Sequence, residues 1–301
     1  MKLGAWRVGG GTRVAVVEND RPARWLPPAV EDVSDVIDNP ALLRASAEPV
    51  NGAGTPVAPI QRPRRNIFCV GKNYRDHARE FERSGFDASS GATEIPDAPI
   101  FFTKVPECVV GSHEPISYDP AVSTALDYEG ELAVIIGTGG RAIPHSSAMD
   151  HVWGYTIIND VTARDVQSRL KQWHVGKSFD TFCPMGPWAV TADEINLAQT
   201  QLKTWVNGEL RQNANTCDLI FDVPTIVAVL SASITLYPGD IIATGTPAGV
   251  GIGFKPPRYL KEGDIVAIEI AGLGRLENPV VARAGGVVDP VVARLLAIKS
   301  G

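Results

Sequence analysis

The sequence predicts a mixed α+β fold rather than a doubly wound α/β one. Short apolar runs recur, among them "NIFCVG", "LAVIIG", "VWGYTIIN", "IIATG" and "DIVAIEI", with the length and β-branched content that strands favour. The turn sequences "YPGD" at 237–240 and "KEGD" at 261–264 introduce the last two of these runs, because Gly and Asp accept the backbone angles of tight turns. Helical patterns are fewer than strands, which places helices on one side of the sheets.

In chain order, residues 2–8 and 12–18 flank "GGG" at 9–11 and read as a β-hairpin. "VEDVSDVID" is a short helical pattern beyond Pro27-Pro28. "EPVNGAGTPVAPIQRPRR" is rich in Pro and Gly and predicts a boundary near residues 50–63. A small β-rich N-terminal domain over 1–62 and a larger domain over 63–301 are therefore expected. In the larger part a helix over "NYRDHAREFER" follows the strand "NIFCVG", and residues 84–98, "SGFDASSGATEIPDA", read as a long polar loop. Further helices are expected over "TARDVQSRLK", "DLIFDVPTIVAVLSAS" and the tail "PVVARLLAIK".

Composition narrows the function classes. The chain has 301 residues, 44% of them hydrophobic and 21% charged, with a formal charge of −6; these values suit a globular protein with a substantial core. The acidic balance argues against a nucleic-acid or anionic-membrane partner, either of which needs a basic stripe. No run reaches the roughly 18 apolar residues of a transmembrane helix, and the N-terminus lacks the pattern of a signal peptide. A cytoplasmic protein is expected. Cys69, Cys108, Cys183 and Cys217 show no zinc-type spacing and read as free thiols.

One stretch resists a purely structural reading. In "ALDYEGELAVIIG", residues 125–137, Asp127, Glu129 and Glu131 alternate and so face one way on a strand. Such alternation commonly marks the solvent face of a sheet. Here the continuation is apolar on both faces, the mark of a strand covered on both sides. Buried carboxylates at i and i+2 cost several kcal/mol per ion, by order of magnitude, unless something positive compensates. A divalent cation does so, and all-oxygen ligands favour Mg²⁺ before Mn²⁺ or Ca²⁺. Asp160, at the end of the strand "VWGYTIIN", is a candidate third ligand, with a helix N-cap as its structural alternative. If Asp160 binds metal, Thr162 is free to take the capping role.

His77 and Glu80 are three apart in "NYRDHARE" and share a helix face. They read either as a solvated surface or as a dyad in which the carboxylate orients the imidazole. Lys177 stands in the aromatic and Pro-rich "HVGKSFDTFCPMGPW", as a snorkelling lysine or as the partner of an anionic ligand. Cys183 in that stretch reads as a buried thiol. The Gly-rich "ATGTPAGVGIG" at 243–253 lacks a P-loop ending. Its N–H groups, with Thr246, suit a carboxylate or an oxyanion. No GxSxG elbow supports a serine hydrolase.

Taken together, "GKNYRDHAREF", "DYEGELAVIIG", "GYTIINDVTARDVQ", "KSFDTFCPMGP", "GDIIATGTPAGVG" and "GDIVAIEIAGLGRLENPV" resemble, in order, the fumarylacetoacetate hydrolase family over residues 65–282. The resemblance implies a mixed β-roll and a homodimer. It implies that Glu129, Glu131 and Asp160 bind Mg²⁺ or Mn²⁺, and that His77 and Glu80 transfer protons from a lid helix. It also implies that Lys177 contacts substrate, with Arg164, Gln167 and Thr246 around the site. The lid continuation 81–98 and "LKQWHVG" follow no fixed family pattern, so substrate choice is expected there.

The expected activity is cation-dependent hydrolysis of a carbon–carbon bond in a 2,4-dioxo acid, an acylpyruvate such as fumarylpyruvate or acetylpyruvate, through a stabilised pyruvate enolate. Decarboxylation of oxaloacetate and isomerisation of 2-hydroxyhepta-2,4-diene-1,7-dioate use the same site and are the alternatives. A cation-dependent 2-oxo acid binding protein without turnover is the alternative from another class.

Overall fold

The computed structural model describes residues 1–44, 48–50, 54–84, 95–283, 291 and 295. The tail helix over "PVVARLLAIK" and the centre of the 84–98 loop thus lie outside the described residues, apart from Val291 and Leu295.

The N-terminal hairpin forms from Lys2–Val8 and Gly11–Glu18, and Arg21–Trp25 adds a third strand to it. The hairpin also continues a larger sheet. Lys2 and Leu3 pair with Val190 and Ala189 of the Cys183–Thr191 strand. The sheet then runs through Val152–Asn159, Gly130–Ile136, Ile241–Ala243, Ile67–Gly71 and Ile100–Lys104. Neighbours along this path are antiparallel except Ile241–Ala243 with Ile67–Gly71. Leu3, Val14 and Val16 share one core with Ile67, Ala133, Ile135 and Ile241. Sheet and core therefore run straight across the boundary placed near residue 62.

The strand Gly130–Ile136 is buried along its whole length. Leu132, Val134 and Ile136 enter one core while Ala133 and Ile135 enter the other, as a strand covered on both faces requires. A second sheet of Glu209–Asn215, Gln201–Val206, Ile265–Ile270, Gly274–Ala282 and Ile116–Tyr118 packs over the first. It approaches closely at Gly130, where an added Cβ would overlap Thr204 Oγ1. That approach explains the missing side chain between the two glutamates.

The acidic stretch is not one continuous strand, contrary to its alternation. Leu126–Asp127 pairs with Thr162–Ala163 in a separate ladder, and the main strand starts at Gly130. Between them the Glu129 N–H donates to Asn159 Oδ1 at 3.0 Å instead of to a main-chain carbonyl. Asp127 is therefore turned to the glycine-rich loop, where its carboxylate accepts from Gly251 N at 2.6 Å and Ile252 N at 3.0 Å.

Helices fall largely where periodicity places them. In Arg75–Ser84, His77, Ala78 and Phe81 are buried, one stripe of a helical surface. In Val223–Ser233, Val223, Ile226, Val227 and Leu230 are buried, and Asp222 caps the start by accepting from Thr225 N at 2.9 Å. The helix Arg164–Leu170 has Ala163 at its N-cap and no side-chain cap. Neither Asp160 nor Thr162 caps it; the Thr162 hydroxyl donates to Asp160 O at 2.9 Å.

Candidate active site

Antiparallel pairing places the acids. Gly130 lies opposite Asn159 and Glu131 opposite Ile158, so residues flanking Gly130 meet the residue that follows Asn159. Asp160 N donates to Glu129 O at 2.8 Å and fixes this meeting. One carboxylate oxygen from each of Glu129, Glu131 and Asp160 lies within 4.8 Å of the others, and all three residues are buried.

Three cations surround them. Lys177 Nζ donates to Glu129 Oε2 and to Asp160 Oδ2, both at 2.7 Å. It does not snorkel to the surface: only 2% of it is exposed. Arg164 lies 2.6 Å from Glu129 Oε1 and donates from Nε to Asp127 Oδ2 at 2.8 Å. Lys104 donates to Asp160 Oδ1 at 2.7 Å. Glu131 is held differently, with Oε2 accepting from Gly245 N at 2.7 Å.

The electrostatics follow from these partners. Burial works to raise the Glu129 carboxyl, but the Lys177 and Arg164 charges outweigh it and hold the group at about 2. Burial raises the Glu131 carboxyl well above its usual range, and repulsion from Asp160 and Glu129 adds to the rise. With all four carboxylates ionised, Asp127, Glu129, Glu131 and Asp160 face Arg164, Lys177 and Lys104 with one negative charge in excess. That excess, concentrated where an all-oxygen donor set converges, fits a hard divalent cation.

The cavity above the triad has a volume of about 20 Å³ and is lined by His77, Glu129, Glu131, Arg164, Gln167, Lys177 and Thr246. Seven of the nine residues singled out in the sequence therefore border one space. Asp160 lies beneath it, joined through Lys177. Glu80 stands behind His77, with Oε2 at 3.4 Å from His77 Nδ1, and borders an open cleft of about 600 Å³ on its other side. Gln167 Oε1 accepts from Arg164 Nη1 at 3.2 Å. The Thr246 hydroxyl donates to Gly130 O at 3.0 Å and accepts from Gln212 at 2.8 Å.

The glycine-rich loop serves carboxylates of the chain itself. Besides Gly245 on Glu131 and Gly251 and Ile252 on Asp127, Gly249 N donates to Glu80 at 3.0 and 3.1 Å. The helix Arg75–Ser84 is thereby docked to the loop, and a Cβ on Gly253 would overlap the Glu80 carboxylate.

Sequence reasoning missed several residues. Lys104 was hidden in "FFTKVP", where a single lysine after an apolar run ordinarily reads as a solvated strand end. Phe81, Phe102 and Trp173 form an aromatic wall of the cavity, with ring centroids 5.3 Å apart for Phe102–Trp173 and 6.2 Å for Phe81–Trp173. Phe81 and Trp173 belong to the two segments without a fixed family pattern. Lys72, beside them, places its ammonium 5.7 Å from the Phe81 ring centre.

Residues 66–281 match the model of the fumarylacetoacetate (FAA) hydrolase C-terminal family. The chain belongs to this family. Among curated relatives of this family member, oxaloacetate tautomerase YisK of Bacillus subtilis is 50% identical over 224 residues, 74% of this chain and 72% of the relative. Human mitochondrial oxaloacetate tautomerase FAHD2A is 43% identical over 228 residues, covering 75% of this chain and 69% of its own length. Among solved structures, a fumarylacetoacetate hydrolase from psychrophilic Exiguobacterium antarcticum superposes with a TM-score of 0.80 at 40% identity, covering 94% of this chain and all of that one. A 2-hydroxyhepta-2,4-diene-1,7-dioate isomerase from Mycobacterium marinum gives 0.70 at 36% identity, covering 95% of this chain and all of that one. The mixed α+β fold is thus a fumarylacetoacetate hydrolase fold, and the family is one of enzymes. No helix among the described residues is long and apolar enough to cross a membrane.

Proposed function

We propose that this chain catalyses divalent-cation-dependent proton transfer on a short 2-oxo acid, best read as keto–enol tautomerisation of an oxaloacetate-class dicarboxylate. The observation that carries this reading is one buried imidazole, His77, bordering a narrow cavity whose floor is the acid triad. Glu129, Glu131 and Asp160 would hold Mg²⁺ or Mn²⁺, which when bound supplies Lewis-acid polarisation of the 2-oxo group.

Glu80 at Nδ1 favours the His77 tautomer that carries its proton there, leaving Nε2 as the base. That nitrogen takes a proton from the carbon next to the 2-oxo group, and the proton returns to the oxygen of the resulting enolate. The Lys177 ammonium and Arg164 guanidinium favour the charge that develops on oxygen. The aromatic wall of Phe81, Phe102 and Trp173 excludes bulk water. Tautomerisation needs no attacking water. Relatives at 43–50% identity carry the same activity in their names.

A second reading is hydrolysis of an acylpyruvate, in which the same imidazole activates water for attack on the 4-carbonyl. The likeness to a fumarylacetoacetate hydrolase at 40% identity favours it. One assay separates the readings. Enol-oxaloacetate, acetylpyruvate and fumarylpyruvate are each supplied with Mg²⁺, Mn²⁺ or EDTA, and products are identified. Tautomerisation is expected as loss of enol absorbance without pyruvate or CO₂, abolished by EDTA and reduced at least about 100-fold in His77→Ala. Pyruvate from the acylpyruvates would establish hydrolysis, and CO₂ from oxaloacetate decarboxylation. Cation-dependent binding with no product would make the chain a binding protein.

A further inference from the structure

We propose that Lys104 is a positioning residue that fixes Asp160 and Lys177 relative to each other and so sets the geometry in which the acid triad takes up a cation. The inference rests on the cation reading of the triad and is independent of which reaction follows.

Lys104 ends the edge strand Ile100–Lys104 and pairs with Ile67. Its side chain is wholly buried. An ammonium carries three N–H donors, and three acceptors surround this one: Asp160 Oδ1 at 2.7 Å, Val161 O at 3.2 Å, and Lys177 O. The donors are fully used, and only one of the acceptors is charged.

These partners belong to parts of the site that otherwise approach from different directions. Asp160 and Val161 follow the central strand Val152–Asn159, and Lys177 closes the helix Trp173–Lys177. Lys104 holds one Asp160 oxygen while Lys177 Nζ holds the other, so the rotation of the carboxylate is set from both sides. The last carbonyls of a helix have no partner within it. By taking that of Lys177, Lys104 also anchors the backbone from which the Lys177 side chain reaches Glu129.

A simple charge-balancing role predicts the opposite behaviour. If Lys104 merely offsets the acids, removing its charge makes the triad more attractive to a cation. If it positions Asp160, removing it weakens cation binding, as loss of an outer partner of a metal ligand commonly does.

The test is an EPR titration of the full chain with Mn²⁺, comparing wild type, Lys104→Met and Lys104→Arg. Arg65→Met, which breaks the Arg65–Asp240 pair away from the triad, controls for general destabilisation. Lys104→Met is expected to weaken Mn²⁺ affinity about 10–100-fold and to change the spectrum of bound Mn²⁺. Arg65→Met is expected to leave both unchanged. Should Lys104→Met fail to fold, Lys104→Arg keeps the charge and is expected to weaken binding through altered geometry. Unchanged or tighter binding with a wild-type spectrum in the folded Lys104 variant would overturn the proposal. A wild-type chain that takes up no Mn²⁺ would overturn the triad reading along with it.

Discussion

Lys177 is the residue through which two buried acids share one positive charge. Its ammonium sits 2.7 Å from both Glu129 and Asp160, and all three side chains are almost wholly enclosed. Without it Glu129 keeps only Arg164 and Asp160 only Lys104, so the buried cluster is one positive charge short; breaking a buried pair in this way costs about 3–5 kcal/mol. Lys177→Met is therefore expected to lower the melting temperature of the chain in EDTA. Added Mg²⁺ should restore part of the loss, because a ligand that binds the folded state stabilises it. Calorimetry with and without Mg²⁺ checks this, and equal melting temperatures for variant and wild type in EDTA would refute it. The acids of this cluster were legible in the sequence because carboxylates at adjacent alternating positions within an apolar run conflict with burial. Lys104 was not, because its contacts to Asp160 and Lys177 span 56 and 73 residues. A pairing that distant leaves no local spacing to read.

At the scale of the element, the helix Arg75–Ser84 is held by a loop through its Glu80 side chain. Its buried stripe was legible from helical periodicity. Its docking was not, since that depends on the main-chain direction of the 249–253 loop, which composition does not encode. Glu80 is held by Gly249 N, and the space for its carboxylate exists because residue 253 has no side chain. Gly253→Ala should displace Glu80 and tilt His77 away from the cavity without touching the acid triad. The expected result is a fall in kcat/KM of about 100-fold, the scale of a misplaced catalytic group, with Mn²⁺ affinity unchanged. Steady-state kinetics beside an EPR titration distinguish this from a general loss of fold. Wild-type kinetics in this variant would show that Glu80 docking does not matter to turnover. The apparent strand over 127–131 carries the complementary lesson. Its alternation is present in the sequence, yet the Asn159 side chain interrupts the ladder at Glu129, and Asp127 serves the loop instead.

At the scale of the whole molecule, the question is whether residues 63–301 can stand alone. The Pro- and Gly-rich stretch near residues 50–63 suggests a boundary, and composition gives no sign of what crosses it. In the structure the N-terminal hairpin hydrogen-bonds to the Cys183–Thr191 strand, and Trp6 packs on Trp188 with ring centroids 5.5 Å apart. Cutting the chain at residue 62 would leave the Cys183–Thr191 edge short of its Lys2–Val8 partner and uncover Ile67, Ala133 and Ile135 on the face they share with Leu3 and Val14. An unpaired edge beside exposed apolar surface invites association between chains. A chain of residues 63–301 is therefore expected to aggregate or to lose cooperative unfolding, although it holds every residue of the acid triad together with His77 and Glu80. Size-exclusion chromatography and thermal unfolding of the truncated chain decide the matter. A monodisperse truncated chain that unfolds cooperatively and binds Mn²⁺ like the full one would instead establish residues 1–62 as a separable domain. The pairing of Lys2 and Leu3 with Val190 and Ala189 favours the first outcome, because it makes the first strand of the chain a structural part of the sheet that carries Glu131.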